Sequence, residues 1–212
     1  LPISIKDLNT VAGVRTTFGT KGFADFIPEE SDPLVERLEA RGGVILGKTN
    51  TPEFGAGGNT FNDVFGPTLN PWNNNLNPGG SSGGAAASLA AGEIWLSHGS
   101  DHGGSLRTPA AYCGIVGLRP SPGTAGGSGK DNAFMIESVQ GPMARSVTDC
   151  ALFLDAMSGF DPRIPISYPG ASTSYQEAVL SADGRVNIAF APDLGGFGQV
   201  DKEMDTHLQA VL

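Results

Sequence analysis

Apolar and polar positions fall in short blocks along this chain, and several blocks carry the punctuation of regular structure. Leu1–Ile5 is an apolar run that predicts a buried strand leading directly into Lys6. Ser31–Arg41 predicts a helix: Ser31 or Asp32 can cap it, Pro33 suits its first turn, and Gly42–Gly43 stops it. Val44–Leu46 follows as a short buried strand. Thr51–Pro78 reads mostly as loop, with NTFND, GPT and NPWNNNLNP as turn signals. Ala85–Ala91 predicts a helix of small residues ended by Gly92, and Ile94–Leu96 a strand feeding the next loop. Ser146–Ser158 predicts a helix capped by Ser146, with Val147, Ala151, Leu154 and Met157 along one side. Asn187–Ala191 reads as another buried strand and Asp201–Leu212 as another helix. Strands alternating with helices predict an α/β fold around a mixed sheet. No repeat and no linker divides the chain, so one domain over residues 1–212 is expected.

Composition changes this picture in three ways. The 212 residues suffice for one well-buried domain or a large part of a bigger one. The 31 Gly and 15 Pro imply many turns and sites built from backbone rather than a helical bundle. The net charge of -9, with no basic run, speaks against direct nucleic-acid binding. Cys113 and Cys150 sit in apolar contexts and are expected as buried thiols; two cysteines make neither a disulfide framework nor a zinc site. No apolar run approaches the roughly 18 residues that a membrane span needs, and no signal peptide is visible. The chain opens inside a strand-like run and closes inside a helix-like one, so the domain is expected to be a segment of a longer one, incomplete at both ends.

Candidate chemistry concentrates in two glycine–serine clusters, GGSSGG at Gly79–Gly84 and DHGGSLR at Asp101–Arg107. Glycines on both sides of a serine let the backbone approach a ligand, and a helix start just beyond supplies free N–H groups. Such loops can hold a serine nucleophile beside an oxyanion hole. Two other motifs fail on context. GGVILGKT at Gly42–Thr49 matches a phosphate loop in letters, but the strand lies inside the match and Pro52 follows where a helix should run. Gly80–Gly84 matches G-x-S-x-G with Ser82 at its centre, but Pro78 and an Asn-rich loop precede it, and His98, His102 and His207 lie in no obvious motif. A lysine base is the remaining option. Serine is a weak nucleophile until something takes its proton, and a lysine held neutral by burial can do so. Lys6, after an apolar strand, is the candidate; its plain alternative is a solvated surface charge.

Five strings, in order across nearly the whole chain, resemble the amidase signature family. They are PISIKDL around Lys6, LGKTNTPEF at Leu46–Phe54, NPWN…NPGGSSGGAAA at Asn70–Ala87, GSDHGGSLRTPAAYCGIVGLRPS at Gly99–Ser121 and GPMARSVTDCALFLDAM at Gly141–Met157. The resemblance implies the amidase-signature fold, a mixed twisted β-sheet core covered by helices on both faces and here a partial domain. It implies a Ser–cisSer–Lys triad: Ser105 as nucleophile, Ser81 on a cis peptide as proton relay, Lys6 as general base. Ser82 would be a supporting hydroxyl. The backbone N–H groups of His102, Gly103, Gly104 and Ser105 would form the oxyanion hole. Asp101 and Arg107 would pair and hold the loop. Gly55 stands where a pocket-lining residue is expected, with Gly57–Asn62 a further candidate. His102 departs from the family, where that position is often small, β-branched or apolar; its side chain either reaches the substrate or caps a turn. His98 receives no role.

The activity implied is hydrolysis of a carboxamide C–N bond through an acyl-enzyme, without metal or organic cofactor, on a small-molecule amide. A cytoplasmic protein is expected, with no membrane or direct nucleic-acid contact and with a homodimer kept open. One alternative is the glutaminase subunit of a tRNA-dependent amidotransferase; Thr108 stands where many such subunits have Gln, and SLRTPAAYCGIVGLRPSPG looks closer to stand-alone amidases. The other is a non-catalytic binding module keeping the fold, against which Lys6, Ser81 and Ser105 together speak.

Overall fold

A computed structural model describes residues 1–126, 134–184 and 186–211. The chain divides into two units, Leu1–Ser181 and Ala182–Leu212. The first contains strands β1 (Pro2–Lys6), β2 (Val44–Thr49), β3 (Phe61–Asn62), β4 (Gly66–Pro67), β5 (Leu96–Asp101), β6 (Val116–Gly117) and β7 (Val139–Ala144). Its helices are α1 (Pro33–Ala40), α2 (Gly83–Ala90), α3 (Arg107–Cys113), α4 (Val147–Met157) and α5 (Tyr175–Ser181). Five strands form one mixed sheet in the order β2-β1-β5-β7-β6, and β3 and β4 form a separate pair. β1 runs parallel to β2 and β5, whereas β7 is antiparallel to β5 and β6. The α/β class and the mixed sheet agree with the sequence reading.

Helices cover both faces. Successive strand residues point to opposite faces, and on β7 Ala144 belongs to one apolar cluster while Met143 belongs to the other. The first cluster joins Ile3, Ile5 and Leu96 to Leu34, Val35 and Leu38 of α1 and to Phe153, Leu154 and Met157 of α4. The second joins Ala85, Ala86 and Leu89 of α2 to Leu106, Ala110 and Cys113. The small side chains of α2 let its backbone lie close to neighbouring segments. At Gly84 an added Cβ would stand 2.3 Å from the Asn50 amide nitrogen.

The caps act where the sequence places them. Asp32 accepts the Leu34 N–H at 3.0 Å, while Ser31 Oγ instead takes the Ala12 N–H. Ser146 Oγ accepts the Asp149 N–H at 3.1 Å. The last carbonyls of α4 lack intrahelical donors, and Arg37 of α1 and Arg41 just beyond it supply donors to them and to the two residues that follow. Arg37 donates to Met157 O and Gly159 O, and Arg41 to Asp155 O and Ser158 O.

Four expectations are corrected. β2 is longer than Val44–Leu46 and is not buried: it is the outermost strand of the sheet, and Val44 and Leu46 are exposed. The strand expected at Ile94–Leu96 begins at Leu96 and continues through SHGSD to Asp101. Its polar residues are buried because specific hydrogen bonds hold them, which an apolar pattern does not register. On α4, Val147 is exposed; the buried stripe is Cys150, Ala151, Phe153, Leu154 and Met157. In the second unit, Asn187–Ala191 is exposed and forms no strand. A strand needs a ladder partner for its backbone groups, and among the described residues none pairs with this run. The helix expected nearby is present as α6 (Lys202–Val211). Among the described residues no helix is long and apolar enough to cross a membrane.

Candidate active site

Three parallel strands end together: β1 at Lys6, β2 at Thr49 and β5 at Asp101. Carboxyl ends of parallel strands are where α/β folds build their sites. Lys6 is fully buried, although it is the last residue of its strand. Its Nζ lies 2.7 Å from Ser81 Oγ, 2.9 Å from Ser82 Oγ and 3.0 Å from Ser100 Oγ. Burial lowers its pKa to about 7, outweighing the nearby Asp101 carboxylate, which raises it. The turn after Lys6 is pinned by Asp7, whose Oδ1 meets Lys48 Nζ at 2.8 Å and whose Oδ2 accepts both donors of Thr17.

Ser81 and Ser82 lie on the loop that opens α2, and the Gly80–Ser81 peptide is cis. Thr60 latches this loop at both ends: its Oγ1 donates to Gly79 O and accepts from the Gly83 N–H. A Cβ at Gly80 would stand 2.8 Å from the Asn59 amide nitrogen, so only glycine fits there. Ser82 Oγ accepts from Lys6 and from the Ser100 N–H and gives its own proton to Ser100 O. With one proton and two lone pairs, that hydroxyl is saturated.

Ser105 stands on the turn between β5 and α3. The turn wraps around Asp101, whose side chain is fully enclosed. Its carboxylate accepts the amides of Gly104 at 2.9 Å and Leu106 at 3.0 Å, both ends of Arg107 at 3.1 Å, and Arg119 Nη1 at 2.9 Å. Burial alone would raise its pKa; the bonds from Arg107, from the two amides and from Arg119 outweigh that and hold it well below the usual carboxylate range. Gly104 has φ +118, and a Cβ there would meet Thr108 Oγ1 at 2.9 Å. One expectation changes here. The Gly104 N–H is committed to Asp101, so it is not free to serve an oxyanion. Among the described residues, no protein acceptor meets the amides of His102, Gly103 or Ser105.

Ser105 and Ser81 open onto one cavity of about 300 Å³, with Ser100, His102 and Gly55 also on its walls and Leu8, Phe54 and Met135 supplying apolar surface. Gly55 has φ +72, and a side chain there would begin 3.7 Å from Ser81 Oγ. A larger hollow of about 470 Å³ lies beyond Ala56, but its walls carry neither the lysine nor the serines of this cluster. Cys113 and Cys150 are buried and free, each thiol pushed up to about 11 by burial. Among the described residues no cluster of His, Cys, Asp or Glu is disposed to hold a metal ion.

Sequence reasoning missed Ser100, Arg119, His98 and Gln140. Each is a single polar residue inside or beside a strand; Ser100 and Arg119 lie within the Gly99–Ser121 string, but nothing local marks out their role, and His98 and Gln140 lie in none of the five strings. Ser100 supplies the third hydroxyl around Lys6. His98 is buried; its Nδ1 accepts the Lys6 backbone N–H at 3.3 Å and its Nε2 meets Gln140 Oε1.

A mixed α/β sheet that brings a buried lysine to serines on glycine loops has the build of a serine–lysine hydrolase. A family model described as Amidase matches residues 1–212, and the chain belongs to this amidase signature family. The acylamidase of Rhodococcus erythropolis is 46% identical over 204 residues, covering 96% of this chain and 43% of that protein. The A-type subunit of the Lachnoclostridium phytofermentans glutamyl-tRNA(Gln) amidotransferase is 45% identical over 182 residues, covering 85% and 37%. The structure of a 6-aminohexanoate cyclic dimer hydrolase complexed with substrate aligns with a TM-score of 0.80 at 37% identity, over 87% of this chain and 39% of the other. The chain thus spans about two fifths of the length of the curated relatives it matches.

Proposed function

We propose that this chain carries the reactive centre of an amidase that cleaves a carboxamide C–N bond through an acyl-enzyme. The observation that carries the reading is Lys6: fully buried, with a pKa near 7, and 2.7 Å from a serine that shares a cavity with a second serine. A neutral lysine amine has two N–H groups and one lone pair. Three hydroxyls surround it, so one of them must donate to it. Ser82 spends its proton on Ser100 O, and Ser81 is the nearest of the remaining two.

In this reading Ser81 passes its proton to Lys6 and takes the proton of Ser105. Ser105 Oγ then bonds to the amide carbon. The amides of His102, Gly103 and Ser105 are the free donors for the resulting oxyanion, each worth about 3 kcal/mol in comparable sites. The proton returns through Ser81 to the leaving nitrogen as the C–N bond breaks. Water then attacks the ester, giving its proton to the same relay, and Ser105 is regenerated. On this reading the substrate is a small-molecule amide and the setting the cytoplasm; the name of the acylamidase relative supports the amide as the bond cleaved. A second reading, supported by the amidotransferase relatives, is a glutaminase that works beside partner subunits; glutaminase activity appearing only with such partners would favour it.

The test is trapping of the intact protein with a fluorophosphonate. The adduct is expected on Ser105, is lost in Ser105→Ala, and forms faster as pH rises through about 7, where Lys6 becomes neutral. An adduct on Ser82, or a rate flat from about pH 5 to about pH 9, would overturn the assignment.

A further inference from the structure

β1 and β5 run side by side only briefly. Their parallel pairing joins Ile3 to Leu96 and Ser4 to Ser97 and stops there. On its other side β1 stays paired with β2 as far as Lys6 opposite Thr49, and β5 stays paired with β7 as far as Asp101 opposite Val139. The sheet therefore forks just before Lys6. A fork leaves a backbone N–H without its ladder partner, and a buried N–H needs one.

The ring of His98 stands in that fork. Nδ1 accepts the Lys6 N–H, and Nε2 faces Gln140 Oε1 on β7. His98 is 1% exposed and Gln140 4%. One tautomer satisfies both contacts: the proton sits on Nε2 and is donated to Gln140, leaving Nδ1 as acceptor. A protonated ring would turn an N–H toward the Lys6 N–H. Burial, with the charges of Lys6 on β1 and Lys48 on β2, holds the ring neutral against the opposing Gln140 bond, with a pKa of about 3. Asp101 at the end of β5 is the remaining charge beside Lys6. An aliphatic side chain would fill the same space and leave the Lys6 amide unsatisfied.

We infer that His98 is a positioning residue for Lys6: its ring replaces the missing ladder partner across the fork and so holds Nζ among Ser81, Ser82 and Ser100. This rests on the reading of Lys6 as the base. A base that drifts by about an ångström loses roughly 10- to 100-fold in rate, which sets the expected size of the effect.

The experiment measures fluorophosphonate labelling of the intact protein against pH, together with kcat and KM on an amide that the parent turns over. His98→Leu is expected to label about 10- to 100-fold more slowly, with KM within about twofold and the pH midpoint raised as Lys6 gains access to solvent. His98→Asn keeps an acceptor at the reach of Nδ1 and is expected within about threefold of the parent, midpoint included. Gln140→Met, which keeps the ring but removes its partner, is expected to slow labelling in the same direction and keeps the inference testable should His98→Leu fail to fold. Parental labelling and midpoint in His98→Leu or Gln140→Met would overturn it, as would an Asn variant as slow as the Leu variant with the same loss of melting temperature. Lys6→Met separates the two readings. If it labels like the parent, the base assignment fails; if it is silent while His98→Leu is normal, only the role of His98 fails.

Discussion

Lys6 is held between two opposing influences, and one of them can be removed. Burial lowers its pKa, while the carboxylate of Asp101 raises it. Asp101→Asn keeps the size and deletes the charge, and it turns one of the two accepting oxygens into a donor facing the Gly104 or Leu106 N–H. The pH midpoint of serine acylation is therefore expected to move below about 7, a direction that simple loosening of the site would not produce. The same change leaves Arg107 and Arg119 without their anion and is expected to cost about 3 kcal/mol of stability, read by urea unfolding. An upward midpoint would show that Asp101 acts on Lys6 through structure rather than charge. At this scale the sequence singles out Ser81 and Ser105 by the glycines around them, and Lys6 by the apolar strand that precedes it and the PISIKDL string that holds it. Ser100 and Arg119 share a string with Ser105 but have no local feature that gives their partners, and His98 has neither string nor feature. A lone serine or histidine in a strand looks like any other polar residue until the fold closes around it, and Arg119 reaches Asp101 across 18 positions of chain.

At the scale of elements, α2 is the most constrained piece. In an exposed helix, replacing glycine by alanine gains up to about 1 kcal/mol. At Gly84 the sign is expected to reverse, because the new Cβ would meet the Asn50 amide nitrogen at 2.3 Å and the Asn50 carbonyl oxygen at 2.6 Å. Backbone cannot swing aside as a side chain does. Gly84→Ala is expected to cost about 1 to 3 kcal/mol and to slow acylation, since α2 starts from the loop that carries Ser81. Unfolding and labelling of the one variant check both effects. Helices α1 and α4 were legible because Asp32, Pro33, Gly42 and Ser146 are local signals. Strand β5 was misread because it carries the site: its Ser97, His98, Ser100 and Asp101 are chosen for bonds, not for an apolar stripe. The short β6 leaves little periodicity to detect, and β2, at one edge of the sheet, packs Ile45 against the core while leaving Val44 and Leu46 exposed.

Across the whole molecule, Lys6, Ser81 and Ser105 all belong to the first unit, Leu1–Ser181. Lys6 finds Ser81, Ser82 and Ser100 at sequence separations of 75, 76 and 94 residues. Contacts of that reach are paid in loop-closure entropy before they return any energy, and folding slows as they dominate. The helices, by contrast, are stabilised by bonds four residues apart. Reactivity is thus a late property of the chain. On dilution of the intact protein from denaturant, far-ultraviolet ellipticity is expected to recover first and fluorophosphonate labelling of Ser105 afterwards. On the proposed roles, a nascent chain would hold both Lys6 and Ser105 for some time before the fold brings the lysine against Ser81, and unfinished copies would be chemically quiet toward amides around them.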